Sequence, residues 1–197
     1  MKIPEQIEEI IKHFSSFQGI GEKTATRFAL SLLNWEKLRI TNFAEALQNI
    51  LDIVKCPTCG FIATANLCLL CEDSKHRFTH QICIIESITD CMAIQKSYTY
   101  SGHFHILHGV LNPLMGIGPD ELGIHLLIKR ICEQNYTEVI LAINSSVEGD
   151  ATCSYIRDQL PKNVKVERIG FGLPMGGSLE YVDSLTITKA MENRKQF

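Results

Sequence analysis

The sequence predicts an α+β chain built from successive modules: a helical N-terminus, a small cysteine-centred segment, and an α/β region with a mainly parallel sheet. Three observations predict it. Apolar residues recur with a helical period through the first fifty positions, two CxxC pairs hold four of the eight cysteines, and beyond about residue 80 short β-rich runs alternate with helical stretches.

The first helix is read from Ile7, Ile10, Ile11, Phe14 and Phe17, a helical spacing within residues 4–17. Gly19 and Gly21 break it, and Ala25, Phe28, Ala29, Leu32 and Leu33 resume the same period, so a second helix follows a tight turn. Thr41 or Asn42 is expected to cap a third helix, "FAEALQNILDIV", that runs into the cysteines. In "FQGIGEKTATRF" the turn leaves backbone N–H groups open at the start of the second helix, which is a site for phosphate. Lys23 and Arg27, four residues apart, share a helix face beside it. The motif reads as a helix-hairpin-helix that binds DNA through its backbone, without sequence preference, using Gly19, Gly21, Lys23 and Arg27. An ordinary αα-turn with solvated charges is the alternative.

Cys56/Cys59 and Cys68/Cys71 form two CxxC turns with eight residues between them. Each turn delivers two thiolates to one point, so together they complete a tetrahedral zinc site. Four protein ligands leave no open coordination position, which makes the zinc structural. A redox dithiol needs one pair rather than two. The remaining cysteines, Cys83, Cys91, Cys132 and Cys153, lie in apolar or helical surroundings and read as small buried side chains.

Strands are expected at 82–86, 103–107, 138–143 and 164–170, with helices near 88–97, 119–134 and 148–160; this alternation implies parallel pairing with crossover helices. Glu86 closes the first of these strands, and Asp90, Glu148 and Asp150 follow strand ends. Carboxylates placed there lie in the ligand crevice of an open α/β sheet and would suit Mg²⁺, or present an acidic binding surface. Helix capping is the plainer explanation for Asp90 and Glu148. "GFGLPMGG" (170–177) lacks dinucleotide spacing and reads as a glycine-rich turn into a helical C-terminus.

Composition narrows the function classes. With 45% apolar and 21% charged residues the chain is an ordinary folded protein, and its net charge of -3 excludes a wholly basic nucleic-acid binder. The charge is uneven: from Lys12 to Arg39 five basic residues stand against two acidic ones. Glu5, Glu8 and Glu9 occupy the place of a signal peptide's apolar run, and no stretch of about 18 apolar residues occurs, so a cytoplasmic protein is expected.

The carboxylate arrangement resembles the Toprim fold of topoisomerases, primases and some nucleases. The motifs taken in order resemble the RecR family of bacterial recombination mediators over essentially the whole chain. They are "GIGEKTATRFA" (19–29), the CxxC pairs, "IIESITD" (84–90), "GHFHILHGVLNPLMGIGP" (102–119), "EVILAINSSVEGDATCSYI" (138–156) and "GLPMGGSLEYVD" (172–183). That resemblance implies modules at 1–54 (helix-hairpin-helix), 55–72 (four-cysteine zinc), 79–170 (Toprim-like) and 171–197 (glycine-rich turn and C-terminal assembly segment). It implies a non-enzymatic role in DNA repair: a ring-shaped oligomer, typically a tetramer, that encircles DNA and works with RecO and RecF to load the RecA recombinase on gapped or single-stranded DNA. Lys23 and Arg27 match the family's DNA-contacting positions. Glu86, Asp90, Glu148 and Asp150 match its Toprim acidic residues, associated there with RecO contact, so Mg²⁺ is not expected. A Mg²⁺-dependent Toprim nuclease or nicking enzyme is the alternative. Gln18, Ser145 and Ser178 depart from the proline, proline and aspartate common at those positions.

Overall fold

The structure, a computed structural model, describes residues 3–72, 78–170, 173, 176 and 178–194. It divides into two compact units, residues 1–53 and 54–197.

The first unit is helical. Helix α1 (Glu5–Ser15) and helix α2 (Glu22–Leu32) pack where small side chains let them approach: Ala25 and Ala29 are fully buried. Phe14 and Phe28 close this contact edge to face, with ring centroids 6.0 Å apart. Helix α3 spans Lys37–Asn49, followed by a 3₁₀ turn at Ile50–Asp52. It starts earlier than the expected cap at Thr41 or Asn42. The Thr41 hydroxyl instead donates to the Lys37 carbonyl one turn back, which a threonine inside a helix can do. Trp35 fixes the entry to α3, meeting Phe43 edge-on at 5.9 Å and carrying the Arg39 guanidinium 3.7 Å above its ring.

In the second unit, strands β1 (Val54–Lys55) and β2 (Ile62–Ala63) form a short antiparallel ribbon, and helix α4 (Leu69–Glu72) follows. Strands β3 (Phe78–Ile85), β4 (Gly102–Ile106), β5 (Glu138–Ala142) and β6 (Lys165–Arg168) then build a parallel sheet in the order β4-β3-β5-β6. Helices α5 (Ile88–Lys96), α6 (Ile124–Glu133) and α7 (Val147–Gln159) cross between them, and α8 (Ser184–Glu192) follows the last strand. The expected order of strands and helices is found, with ends differing by a few residues.

A parallel sheet must be covered on both faces. Along β3, Ile82 and Ile84 point into one core with Leu127 and Ile131 of α6 and Ile156 of α7. Cys83 and Ile85 point into the other, which contains Cys91 of α5, Phe104 and Ile106 of β4, and Cys56, Cys59, Cys68 and Leu70 of the cysteine segment. That segment, residues 55–72 in the sequence reading, therefore shares its core with the sheet.

Two sequence expectations fare differently here. Cys83, Cys91 and Cys153 are buried, but Cys132 is exposed, because α6 turns Ile124, Leu127 and Ile131 to the core and the next position falls off that stripe. Of the glycine-rich stretch, residues 171, 172, 174, 175 and 177 lie outside the described residues, as do 73–77, between the expected modules 55–72 and 79–170.

Gly149 shows how tightly the loop after β5 is built. A Cβ at this position would run into the Asn144 carbonyl oxygen, while the Gly149 N–H donates 3.0 Å to the Ser146 hydroxyl that caps α7. Backbone cannot yield as a flexible side chain does. Gly149→Ala is expected to lose about 1–3 kcal/mol of stability in urea unfolding, whereas an alanine at exposed Ser145 should change it little.

Candidate metal centre and nucleic-acid interface

The ribbon of β1 and β2 carries the first CxxC turn. The Cys56 N–H donates to the Phe61 carbonyl at 2.6 Å, and the Gly60 N–H folds back to the Cys56 carbonyl at 2.8 Å. Gly60 sits at φ +78°, in the left-handed region, and a Cβ there would press against the Ile106 carbonyl oxygen. The second pair opens α4, where the Cys71 N–H donates to the Cys68 carbonyl at 2.9 Å.

These two turns bring the four sulfurs within 4.8 Å of one another, with Cys59 and Cys68 at 3.3 Å and Cys56 and Cys71 at 3.9 Å. Tetrahedral coordination with zinc–sulfur bonds of about 2.3 Å separates ligand sulfurs by about 3.8 Å, so the cluster has the dimensions of a four-thiolate centre. A disulfide would need about 2 Å, and all eight cysteines are free. Without a cation the thiols oppose one another. Burial, with Cys59 beside it, pushes Cys68 up to about 11, and the shared hydrogen bond with Cys71, with burial, raises Cys59 strongly. Burial also raises Cys56, but backbone N–H groups of Cys59, Cys68 and Thr58 outweigh it and hold that thiol down at about 6. A divalent ion resolves the conflict by binding the deprotonated set. The donor set suits a metal such as zinc, and it is closed.

The cysteine knuckle is fastened to β4, the edge strand. The Ile106 N–H donates to the Cys59 carbonyl at 2.8 Å, and His108 Nε2 lies 2.8 Å from the Gly60 carbonyl. From α6, one Arg130 nitrogen, Nη1, donates to both the Thr58 carbonyl (2.9 Å) and the Phe104 carbonyl (3.0 Å). The guanidinium carbon lies 5.8 Å from the centre of the buried Tyr136 ring, whose hydroxyl bonds His103 Nδ1 at 2.8 Å. His105, 3.4 Å from Arg130, is held down to about 4 by burial and by that positive charge, so its ring is neutral at pH 7.

In the helical unit, the predicted hairpin residues come together at the start of α2. Gly19 takes φ +81° and turns the chain after Phe17, whose carbonyl accepts from the Ile20 N–H at 3.1 Å. Gly21 precedes α2 in an extended conformation and supplies no side-chain cap, which leaves the first N–H groups of the helix to another acceptor. Lys23 and Arg27 are exposed one turn apart, and neither forms an ion pair among the described residues.

Glu86 and Asp90 follow β3, and Glu148 and Asp150 follow β5, the two strands between which the strand order reverses. They do not converge: among the described residues the cysteines are the cluster with metal-ligand spacing. Glu86 accepts from Asn144 Nδ2 at 2.8 Å, joining the loops after β3 and β5. Asp90 forms a capping box with Ser87, accepting from its N–H at 3.0 Å while the Asp90 N–H donates back to the hydroxyl. Asp150 pairs with Arg168 at 2.6 Å, and Glu148 is exposed in the first turn of α7. The polar partners Arg130, His103, His105, Tyr136 and Asn144 were not singled out by the sequence. Arg130, in the last turn of α6, looks there like any cation placed against a helix dipole.

The geometry predicts that the reduced protein binds one divalent ion per chain, and that chelation lowers its unfolding midpoint by about 10 °C or more, read by metal analysis and thermal scans. His105 predicts an acid dependence. A histidine at about 4 when folded and about 6.5 when unfolded gives stability that is complete above pH 6.5 and is lost as pH falls towards 4. Between pH 7 and 4 the native chain should lose about 2–3 kcal/mol more than His105→Gln in urea titrations.

Family models match this chain in three places. The helix-hairpin-helix of RecR matches residues 7–51, the Toprim domain matches 80–170, and the C-terminal segment of RecR matches 172–195. Hairpin, Toprim sheet and C-terminal segment thus occur in one sequence, in that order, around a four-cysteine centre. The chain belongs to the RecR family, whose domains support recombination mediation in DNA repair.

Proposed function

We propose that this protein is a non-enzymatic, DNA-binding recombination mediator. It acts as a ring-shaped oligomeric clamp, a tetramer, that helps RecO and RecF load RecA on gapped or single-stranded DNA in the cytoplasm. The observation that carries the DNA reading is the start of α2: uncapped N–H groups beside exposed Lys23 and Arg27, with Gly19 and Gly21 supplying the turn. A phosphate meets backbone donors, the helix dipole and two cations there, none of which reads a base.

The bound metal is zinc, held by Cys56, Cys59, Cys68 and Cys71, and its role is structural because the four thiolates close its coordination sphere. Glu86, Asp90, Glu148 and Asp150 form an acidic face for a protein partner. Supporting this over Mg²⁺ catalysis, Asp90 is committed to a helix cap and Asp150 to Arg168, bonds a catalytic ion would have to displace. Self-association is supported by Leu33, Leu38, Leu47, Ile50 and Leu51, apolar side chains left exposed in the helical unit.

A titration of the metal-loaded protein on gapped duplex at two salt concentrations tests the reading. Lys23→Ala/Arg27→Ala is expected to weaken binding and flatten the log–log salt dependence by about 2, with the DNA intact on a gel. Unchanged binding by the double variant would make the hairpin structural. Mg²⁺-dependent cleavage would establish the alternative, a Toprim nuclease or nicking enzyme.

A further inference from the structure

We propose that Arg130 is a positioning residue for the four-cysteine metal centre: it reaches from α6 around the edge of the sheet and holds the first CxxC turn in its metal-binding shape. The inference rests on reading that cluster as a metal site.

Arg130 stands on the helix that covers one face of the sheet, while the cysteine segment covers the other. Its neighbours on α6, Leu127 and Ile131, are buried in the first core, so the base of the side chain is fixed. Its Nη1 bonds two carbonyl oxygens at once, Thr58 inside the CxxC turn and Phe104 on the open edge of β4. Hydrogen bonds from a charged donor are roughly twice as strong as neutral ones, and here they tie turn to strand at a single atom. Thr58 lies between Cys56 and Cys59, so its carbonyl orientation is coupled to the direction in which both thiolates point.

The surroundings of Arg130 favour this role over that of an ordinary surface cation. No ion pair with a carboxylate is formed by Arg130 among the described residues. Tyr136 and the neutral His105 flank it, the first presenting its ring and the second a ring nitrogen. It lines the same cavity as Cys71, the half-buried ligand, together with Thr58, His103 and Tyr136. Four thiolates around a divalent cation carry a net charge of about -2, which a guanidinium at this cavity offsets. Bonds to groups surrounding the ligands characteristically set metal affinity as well as ligand orientation.

Titration of the reduced, metal-free full-length chain with Co²⁺ reads the proposal directly, because a tetrahedral thiolate site gives Co²⁺ a visible absorption that reports both occupancy and geometry. Arg130→Gln is expected to raise the Co²⁺ dissociation constant about 10-fold or more, and Arg130→Lys, which keeps the charge but not the fork, by less. Thr152→Val supplies the comparison: Thr152 is fully buried on α7, accepts from the Leu111 N–H at 2.9 Å and donates to the Glu148 carbonyl at 2.7 Å, on the helix whose Cys153 and Ile156 join the core opposite the cysteine segment. It should destabilise the domain while leaving Co²⁺ affinity within about twofold of the native chain. If Arg130→Gln does not fold, the Lys variant carries the test through its weakened titration and faster release of metal to a chromophoric chelator. Equal affinity in the native chain and the Arg130 variants overturns the proposal, as does a loss in Thr152→Val matching that of Arg130→Gln. Absence of any thiolate–Co²⁺ band in the native chain would remove the metal reading itself, and the proposal with it.

Discussion

Everything in the second unit depends on covering the β4 side of a parallel sheet. Strands paired on one side only present N–H and carbonyl groups on the other, and a parallel sheet also needs apolar cover above and below. Helices α6 and α7 cover one face. On the other face α5 is joined by a segment too short to have a core of its own, the cysteine knuckle. It places Cys56, Cys59, Cys68 and Leu70 against Cys83, Ile85, Phe104 and Ile106, and its Cys59 carbonyl accepts the outward N–H of Ile106. Face and edge are satisfied by the same short segment, whose shape is set by four sulfurs within 4.8 Å.

The crevice between β3 and β5 gives a contrasting use of polar side chains. An open α/β sheet gathers helix N-termini at this end, and each needs an acceptor for its unpaired N–H groups. Asp90 and Ser87 serve α5, Ser146 serves α7, and Glu86 with Asn144 ties the two loops together. Carboxylates here thus answer a folding requirement first. Glu148, exposed in the first turn of α7, is given no such task by the bonds described.

Much of this was legible in the sequence because it rests on local period and spacing. The 3.6-residue period locates α1 and α2, the glycines locate the turn between them, and the doubled CxxC locates the four-cysteine cluster. The start of α3 was misplaced because Thr41, a good cap by type, has a second choice, the carbonyl one turn behind it. Cys132 was misread because residue type signals burial on average while position on the helix stripe decides it. The bonds of Arg130 were not legible at all. Thr58 and Phe104 lie 72 and 26 positions away, and no periodicity records a contact made through one nitrogen across a sheet edge.

The placement of the knuckle on β4 has a consequence for the life history of the chain. Until the four thiolates are gathered, the Ile106 N–H and the Phe104 carbonyl are open to any extended segment that meets them, including β4 of a second nascent molecule. An ion bound by the four thiolates would therefore do more than fasten a loop. By holding the knuckle over that strand it would keep the template for intermolecular pairing covered.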